Sequence, residues 1–171
     1  MTRHINRTAD FTCLHCHFFV SSAEILSHVH NRNHCPYCLW SRHLDLYQPG
    51  DRLSACKSGM QPVGLAIKRT VNKYASRQSG ELMVVHSCSE CGSLSANRIA
   101  ADDDHHRILQ VYRSSLAFTT DDLAFIESGG VKMLGEQDWK LVHVRLFGEV
   151  AEFSLSSTSG EKTYTGLPNC W

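Results

Sequence analysis

Phe11-Thr12-Cys13-Leu14-His15-Cys16-His17 places two cysteines on either side of a two-residue gap, and the gap recurs at Cys35-Pro36-Tyr37-Cys38 and Cys88-Ser89-Glu90-Cys91. Such a gap turns both sulfurs inward on one tight loop. A single tetrahedral ion can then hold both, and two loops complete a four-thiolate site. Six of the eight cysteines lie in these three pairs, with Cys56 between the second pair and the third. One pair alone is compatible with redox chemistry; three pairs plus a seventh cysteine point to structural zinc. The first two pairs are separated by 18 residues, which is zinc-ribbon spacing. A disulfide framework has no use for three identical gaps of two.

Working outward, 171 residues suffice for one ordinary domain, or for a small metal-held module with an appendage. No apolar run approaches the roughly 20 residues that span a bilayer, so no membrane association is expected. The opening Met1-Thr-Arg-His-Ile-Asn-Arg-Thr is polar and does not read as a secretory signal. A reducing, cytoplasmic setting with bound zinc is therefore expected. The zero net charge hides an asymmetry. Residues 1–100 carry 11 Lys and Arg against 6 Asp and Glu, and residues 101–171 carry 6 against 11. Four thiolates around Zn²⁺ leave a net −2, which offsets part of the basic excess. The balance permits a nucleic-acid contact without demanding one.

Two zinc ions are expected. The first site reads as Cys13, Cys16, Cys35 and Cys38. The second takes Cys56, Cys88 and Cys91 and needs a fourth ligand. His86 is the first candidate, because it lies two residues before Cys88 and strand alternation points both the same way. His43 is the second, five residues after Cys38. An alternative joins Cys35 and Cys38 to Cys88 and Cys91 and leaves Cys13 and Cys16 with Cys56. His15 and His17 read as solvated loop residues, and His34 as a hydrogen-bonding support for its knuckle. Cys170 reads as an incidental thiol.

The pattern along the chain is α+β. A small zinc-ribbon or zinc-knuckle domain with short antiparallel strands covers residues 1–104, and a helix-plus-strand extension covers 105–171. Ser21 to Asn33 reads as a loop, and Gly59 and Pro62 as breaks. Residues 63–70 and Glu81 to His86 read as strands, joined by a turn over Tyr74 to Gly80. Ile108, Leu109, Val111, Tyr112 and Leu116 recur at near-helical spacing behind Asp102-Asp103-Asp104, whose charges suit a helix N-terminus. Thr119-Thr120-Asp121-Asp122 opens a second helix that ends at Gly129-Gly130. Leu141 to Phe147 and Glu149 to Leu155 alternate like strands, giving a small β appendage.

Arg32-Asn33-His34-Cys35-Pro36 resembles the signature of the RNHCP domain family. Around it stand Phe11-Thr12-Cys13 and Cys16, then Cys38-Leu39-Trp40-Ser41, His43, Asp45, Pro49-Gly50-Asp51-Arg52, Cys56, Met60 and Pro62 in the family's order. His86, Cys88, Cys91-Gly92, Asn97-Arg98-Ile99-Ala100 and Asp102 to Asp104 close the match, which covers about residues 11–104. His17 departs from it, standing where glycine is expected after the second cysteine. The resemblance implies a small zinc-binding domain and implies no activity.

Three functions compete. The first is a non-catalytic module that binds RNA or a ribonucleoprotein, with ribosome association as the leading form. Arg32, Arg42, Arg52 and Arg98 flank the knuckles and are candidate phosphate contacts, while Trp40 and Tyr37 read first as core aromatics and second as rings for stacking bases. The same arginines equally suit charge balance around thiolates. The second is a protein-interaction adaptor without nucleic acid, its partner meeting the acidic C-terminal region. The third is a metal-dependent nuclease built on Asn33-His34 and Asp102 to His106. Against it, four-cysteine zinc leaves no position for water, and consecutive helix residues cannot converge on one ion.

Overall fold

The computed structural model describes residues 9–48, 50–69 and 80–148. Strand β1 (Phe11–Thr12) pairs antiparallel with β2 (Phe19–Val20), and the first knuckle is the turn between them. A four-residue helix α1 (Glu24–Ser27) interrupts the stretch that reads as a loop. A four-stranded antiparallel sheet follows, in the order β3 (Ser41–Arg42), β4 (Gly59–Arg69), β5 (Gly80–Cys88), β6 (Leu94–Arg98). Helices α2 (His105–Ser115), α3 (Thr120–Ser128) and α4 (Trp139–Phe147) follow among the described residues, with a 3₁₀ turn at Glu136–Asp138. Among the described residues, no helix is long and apolar enough to cross a membrane.

Gly59 and Pro62 do not break the chain as the sequence suggests; β4 runs through both. The register with β5 shifts between Pro62 and Gly64, so a bulge absorbs the proline. Pro62 lacks an N–H, but β3 pairs only with Gly59 and Met60, so the other edge of β4 makes no demand at that point. Further along, that edge is covered by the chain after α3. Ala66 bridges Met133, and the Leu134 N–H donates to the Leu65 carbonyl at 2.8 Å. Gly64 permits this approach: a side-chain carbon there would meet the Met133 methyl.

Side chains of β4 and β5 alternate between two clusters on opposite faces of the sheet. Leu65, Leu82 and Val84 pack with Ile108, Leu109 and Tyr112 of α2, with Trp139, Val142 and Leu146 of α4, and with Leu39 from the second knuckle. Ala66 and Val85 pack with Ile126 of α3 and with Met133. Covered on both faces, β5 is buried without interruption from Leu82 to His86. Tyr112 is fully buried, and its hydroxyl donates to the Gly135 carbonyl at 2.6 Å; burial pushes its pKa up to about 12.

Helices α2 and α3 start as the sequence indicates. The Asp104 carboxylate accepts from the N–H groups of His106 and Arg107, and Thr119 and Asp122 form a reciprocal capping box. The strand expected over Leu141 to Phe147 is instead α4. Val142 and Leu146 are buried while Val144 is 40% exposed. That stripe fits a helical period, not an alternating one. Gly148 ends the helix in the left-handed conformation. The turn over 74–79, the strand over Glu149 to Leu155 and Cys170 fall outside the described residues.

Candidate metal centres

Three knuckles share one backbone design. In each, the N–H of the first cysteine donates to the carbonyl five residues on: Cys13 to Phe18, Cys35 to Trp40 and Cys88 to Ser93, all at 2.9 Å. The N–H four residues after that cysteine donates back to its carbonyl, from His17, Leu39 and Gly92. Those three residues have φ of 62°, 63° and 70°. Only the third is glycine, so the first two knuckles hold side-chain residues in a conformation that costs them roughly 1 kcal/mol. His17 in place of glycine leaves the turn closed.

The knuckles bring four sulfurs together at the first centre. Cys13 Sγ lies 3.6 Å from Cys38 Sγ, and Cys16 Sγ 3.5 Å from Cys35 Sγ. These are far beyond a disulfide bond and close to the edge of about 3.8 Å expected for a tetrahedron with 2.3 Å zinc–sulfur bonds. The first two pairs therefore share one centre, and the alternative partition is set aside. The Cys35 thiol is held down to about 5, first by a hydrogen bond from Cys38 and then by backbone N–H groups. Cys38 is pushed up by the same partnership, since a second thiolate beside the first is unfavourable. Cys35 and Cys38 therefore resist ionising together, and a bound dication supplies the charge that lets both do so.

The second centre gathers His43, Cys56, Cys88 and Cys91, whose ligand atoms lie within 4.8 Å of one another. Cys56 and Cys88 sulfurs are 3.7 Å apart, and Cys91 Sγ is 3.3 Å from His43 Nδ1. His43 sits just beyond β3, its N–H bonded to the Ser58 carbonyl at 2.9 Å. Cys88 ends β5, and Cys91 closes the third knuckle with its thiol lowered to about 6, chiefly by Ser93.

His86 is corrected as the fourth ligand. It is fully buried beneath the second knuckle, where Nε2 donates to the Leu39 carbonyl at 2.8 Å and Nδ1 accepts from Asn97 at 3.1 Å. Both ring nitrogens are engaged, and burial lowers its pKa to about 4, so the ring is a neutral pin between knuckle and sheet.

Arg32 is also corrected: it is no phosphate contact. Its guanidinium is wholly shielded, bound to Asp102 at 2.7 Å, Asp103 at 3.2 Å and the His34 carbonyl at 3.2 Å. Asp103, itself buried, accepts from His34 Nε2 at 2.7 Å and from the Ala100 N–H at 2.7 Å. Asn33 holds Asp45 at 3.0 Å, and the Pro36 carbonyl accepts the Asp104 N–H. Every residue from Arg32 to Pro36 thus clamps the second knuckle to its surroundings. The three aspartates diverge, to Arg32, to the Arg32–His34 pair and to the α2 cap, so they do not converge on a hydrolytic centre. Arg42 and Arg98 are exposed; Arg98 pairs with Glu81 at 3.0 Å. Arg52 is half-buried with φ of 57°.

Beside the first centre lies a cleft of about 240 Å³, lined by residues of the first knuckle and by Trp40. His15 and Trp40 stack within it, ring centroids 4.3 Å apart and planes at 6°, with Arg42 at its edge. Leu14, Phe18, Phe19 and Tyr37 are exposed nearby along the chain, and the Phe18 and Tyr37 rings touch at 5.3 Å.

Fold and donor sets define a metal-binding module of the zinc-ribbon kind, with one four-cysteine and one three-cysteine, one-histidine centre. Each can hold one zinc ion. The RNHCP domain model matches residues 8–109, and the chain belongs to that family. No curated protein and no solved structure matches it.

Proposed function

We propose that this chain is a non-catalytic, zinc-held module that binds RNA, free or within a ribonucleoprotein such as the ribosome. The observation that supports it most is the cleft beside the first knuckle. A flat His15–Trp40 stack lines it and exposed Arg42 stands at its edge. Unpaired bases stack on such rings, and an arginine fork suits the adjoining phosphate. Zinc here is structural. Both donor sets fill four positions with protein atoms, so no position is left for an activated water. The cytoplasm, where ribosomes and reduced thiols coexist, is the setting that fits this role.

Fluorescence anisotropy with a short labelled RNA tests the reading, together with sedimentation of the tagged protein from host lysate at low and high salt. Binding that weakens with salt, and weakens further in Arg42→Gln, supports it. Absence of RNA binding at low salt refutes it. The exposed Leu14, Phe18 and Phe19 favour a second reading, an adaptor whose partner is a protein. In that case a complex survives nuclease treatment and high salt.

A further inference from the structure

The cleft beside the first knuckle is not isolated. It shares Asn33, Ser41 and Arg42 with a second cleft of about 310 Å³ that reaches His43 and Ser95. The second shares Asn33, Asp45, Leu46, Ser95 and Asn97 with a third of about 460 Å³. The third ends among Tyr47, Lys68 and Arg98. Asn33 lines all three, so the clefts adjoin in series around it, the second bordered by β3 and the third by edge strand β6, and together they outline one groove.

The chemistry of this groove is ordered. Rings stand at both ends: the His15–Trp40 stack at one and Tyr47, 83% exposed, at the other. Cations stand in the middle (Arg42) and at the far end (exposed Lys68, and Arg98 beside Glu81). The exposed Asn31 amide lies between, whereas the Asn33 and Asn97 amide nitrogens are committed to Asp45 and to His86. The carboxylate that faces the groove, Asp45, already accepts from Asn33 Nδ2 and from the N–H groups of Gly50 and Arg52. Its charge is thereby partly neutralised.

We infer that this groove is the track for a single strand of RNA, running from the Trp40 cleft past Arg42 to Tyr47, Lys68 and Arg98. The inference rests on the RNA reading and specifies it. A ring on the floor of a concave cleft is reached only by a base that has left its own stack. The exposed Asn31 amide is placed to meet a Watson–Crick edge that a duplex hides, and the spaced cations follow a flexible backbone. Duplex RNA keeps its base faces stacked and its Watson–Crick edges paired, so it offers neither to this surface.

The test uses the zinc-loaded full chain and a short fluorescein-labelled RNA, alone and annealed to its complement. The single strand is expected to bind at least about tenfold more tightly, because each stacked base contributes roughly 1–3 kcal/mol. Tyr47→Ala is expected to weaken binding about 5- to 100-fold on the same basis. Lys68→Gln with Arg98→Gln should lower the salt-dependence slope by about 1.4, two phosphate contacts at about 0.7 each. These side chains are exposed, and unchanged zinc content and circular dichroism establish that each variant is folded. If RNA binds and Arg42→Gln weakens it while Tyr47→Ala and the double variant bind like the parent, the track is wrong and the RNA reading stands. Equal affinity for strand and duplex also overturns the track. If the parent binds neither, track and RNA reading fall together.

Discussion

Asp103 is the residue whose loss the structure measures most directly. Its buried carboxylate accepts from Arg32 Nη2 at 3.2 Å, His34 Nε2 at 2.7 Å and the Ala100 N–H at 2.7 Å. Asp103→Ala takes one of two carboxylates from an arginine with no solvent access and orphans a backbone donor. Breaking a buried ion pair from one side costs about 3–5 kcal/mol, and an orphaned buried N–H about 1–3 kcal/mol. Arg32 keeps Asp102 at 2.7 Å, and such costs overlap, so a total loss of about 4 kcal/mol is expected. That is a large share of a typical stability of about 5–15 kcal/mol. Urea denaturation of the zinc-loaded protein reads it. With a slope near 2 kcal/mol per molar, the midpoint should fall by about 2 M at unchanged slope. Asp104→Ala, which removes only the α2 cap, should cost about 1 kcal/mol. If the two variants cost the same, or Asp103→Ala costs under about 1 kcal/mol, the three aspartates act only as helix-terminal charges and the clamp is misread.

Three further outcomes are expected. His43→Ala should lower the zinc content by native mass spectrometry from two ions to one, whereas His86→Ala should keep both and lose about 2–4 kcal/mol in denaturation, from a buried void and two lost hydrogen bonds; two ions retained in His43→Ala would restore His86 as ligand. Gly92→Ala, at φ of 70°, should weaken the second centre by about 1 kcal/mol in competition with a chromophoric chelator, while exposed His17→Gly at φ of 62° should weaken the first not at all. In α4, Val142→Ala should cost about 1–3 kcal/mol and Val144→Ala under about 0.5 kcal/mol by thermal melting; equal costs would return the segment to a strand.

What was legible in the chain was whatever local geometry decides. The two-residue gaps made the knuckles, and Asp104 and the Thr119–Asp122 box set the starts of α2 and α3. Segment 141–147 misled because Val142, Val144 and Leu146 satisfy an alternating pattern as well as a helical one over so short a window. Only packing beside Tyr112 and Trp139 separates them. His86 misled for a related reason. Strand parity relates it to Cys88, but β5 ends at Cys88 and the chain turns away, while His43 reaches the centre from the loop just beyond β3. Arg32 looked like a phosphate contact because nothing in the sequence tells that Asp102 and Asp103, seventy residues on, lie against it. The bulge after Pro62 likewise depends on which edge of β4 has a neighbour.

The two centres differ in how far along the chain they must reach. Every ligand of the first lies between Cys13 and Cys38, whereas the second needs residues from His43 to Cys91. Closing the shorter span costs less chain entropy and can happen earlier. During synthesis the first centre can capture its ion while most of the sheet has yet to leave the ribosome. The second must wait for β5 and the third knuckle. Leu39, which follows Cys38 directly, is then already fixed in place as a seed on which Leu65, Val84 and the α2 residues collapse. The shorter ligand span thus lets metal capture at the first centre precede, and template, the assembly of the sheet and α2.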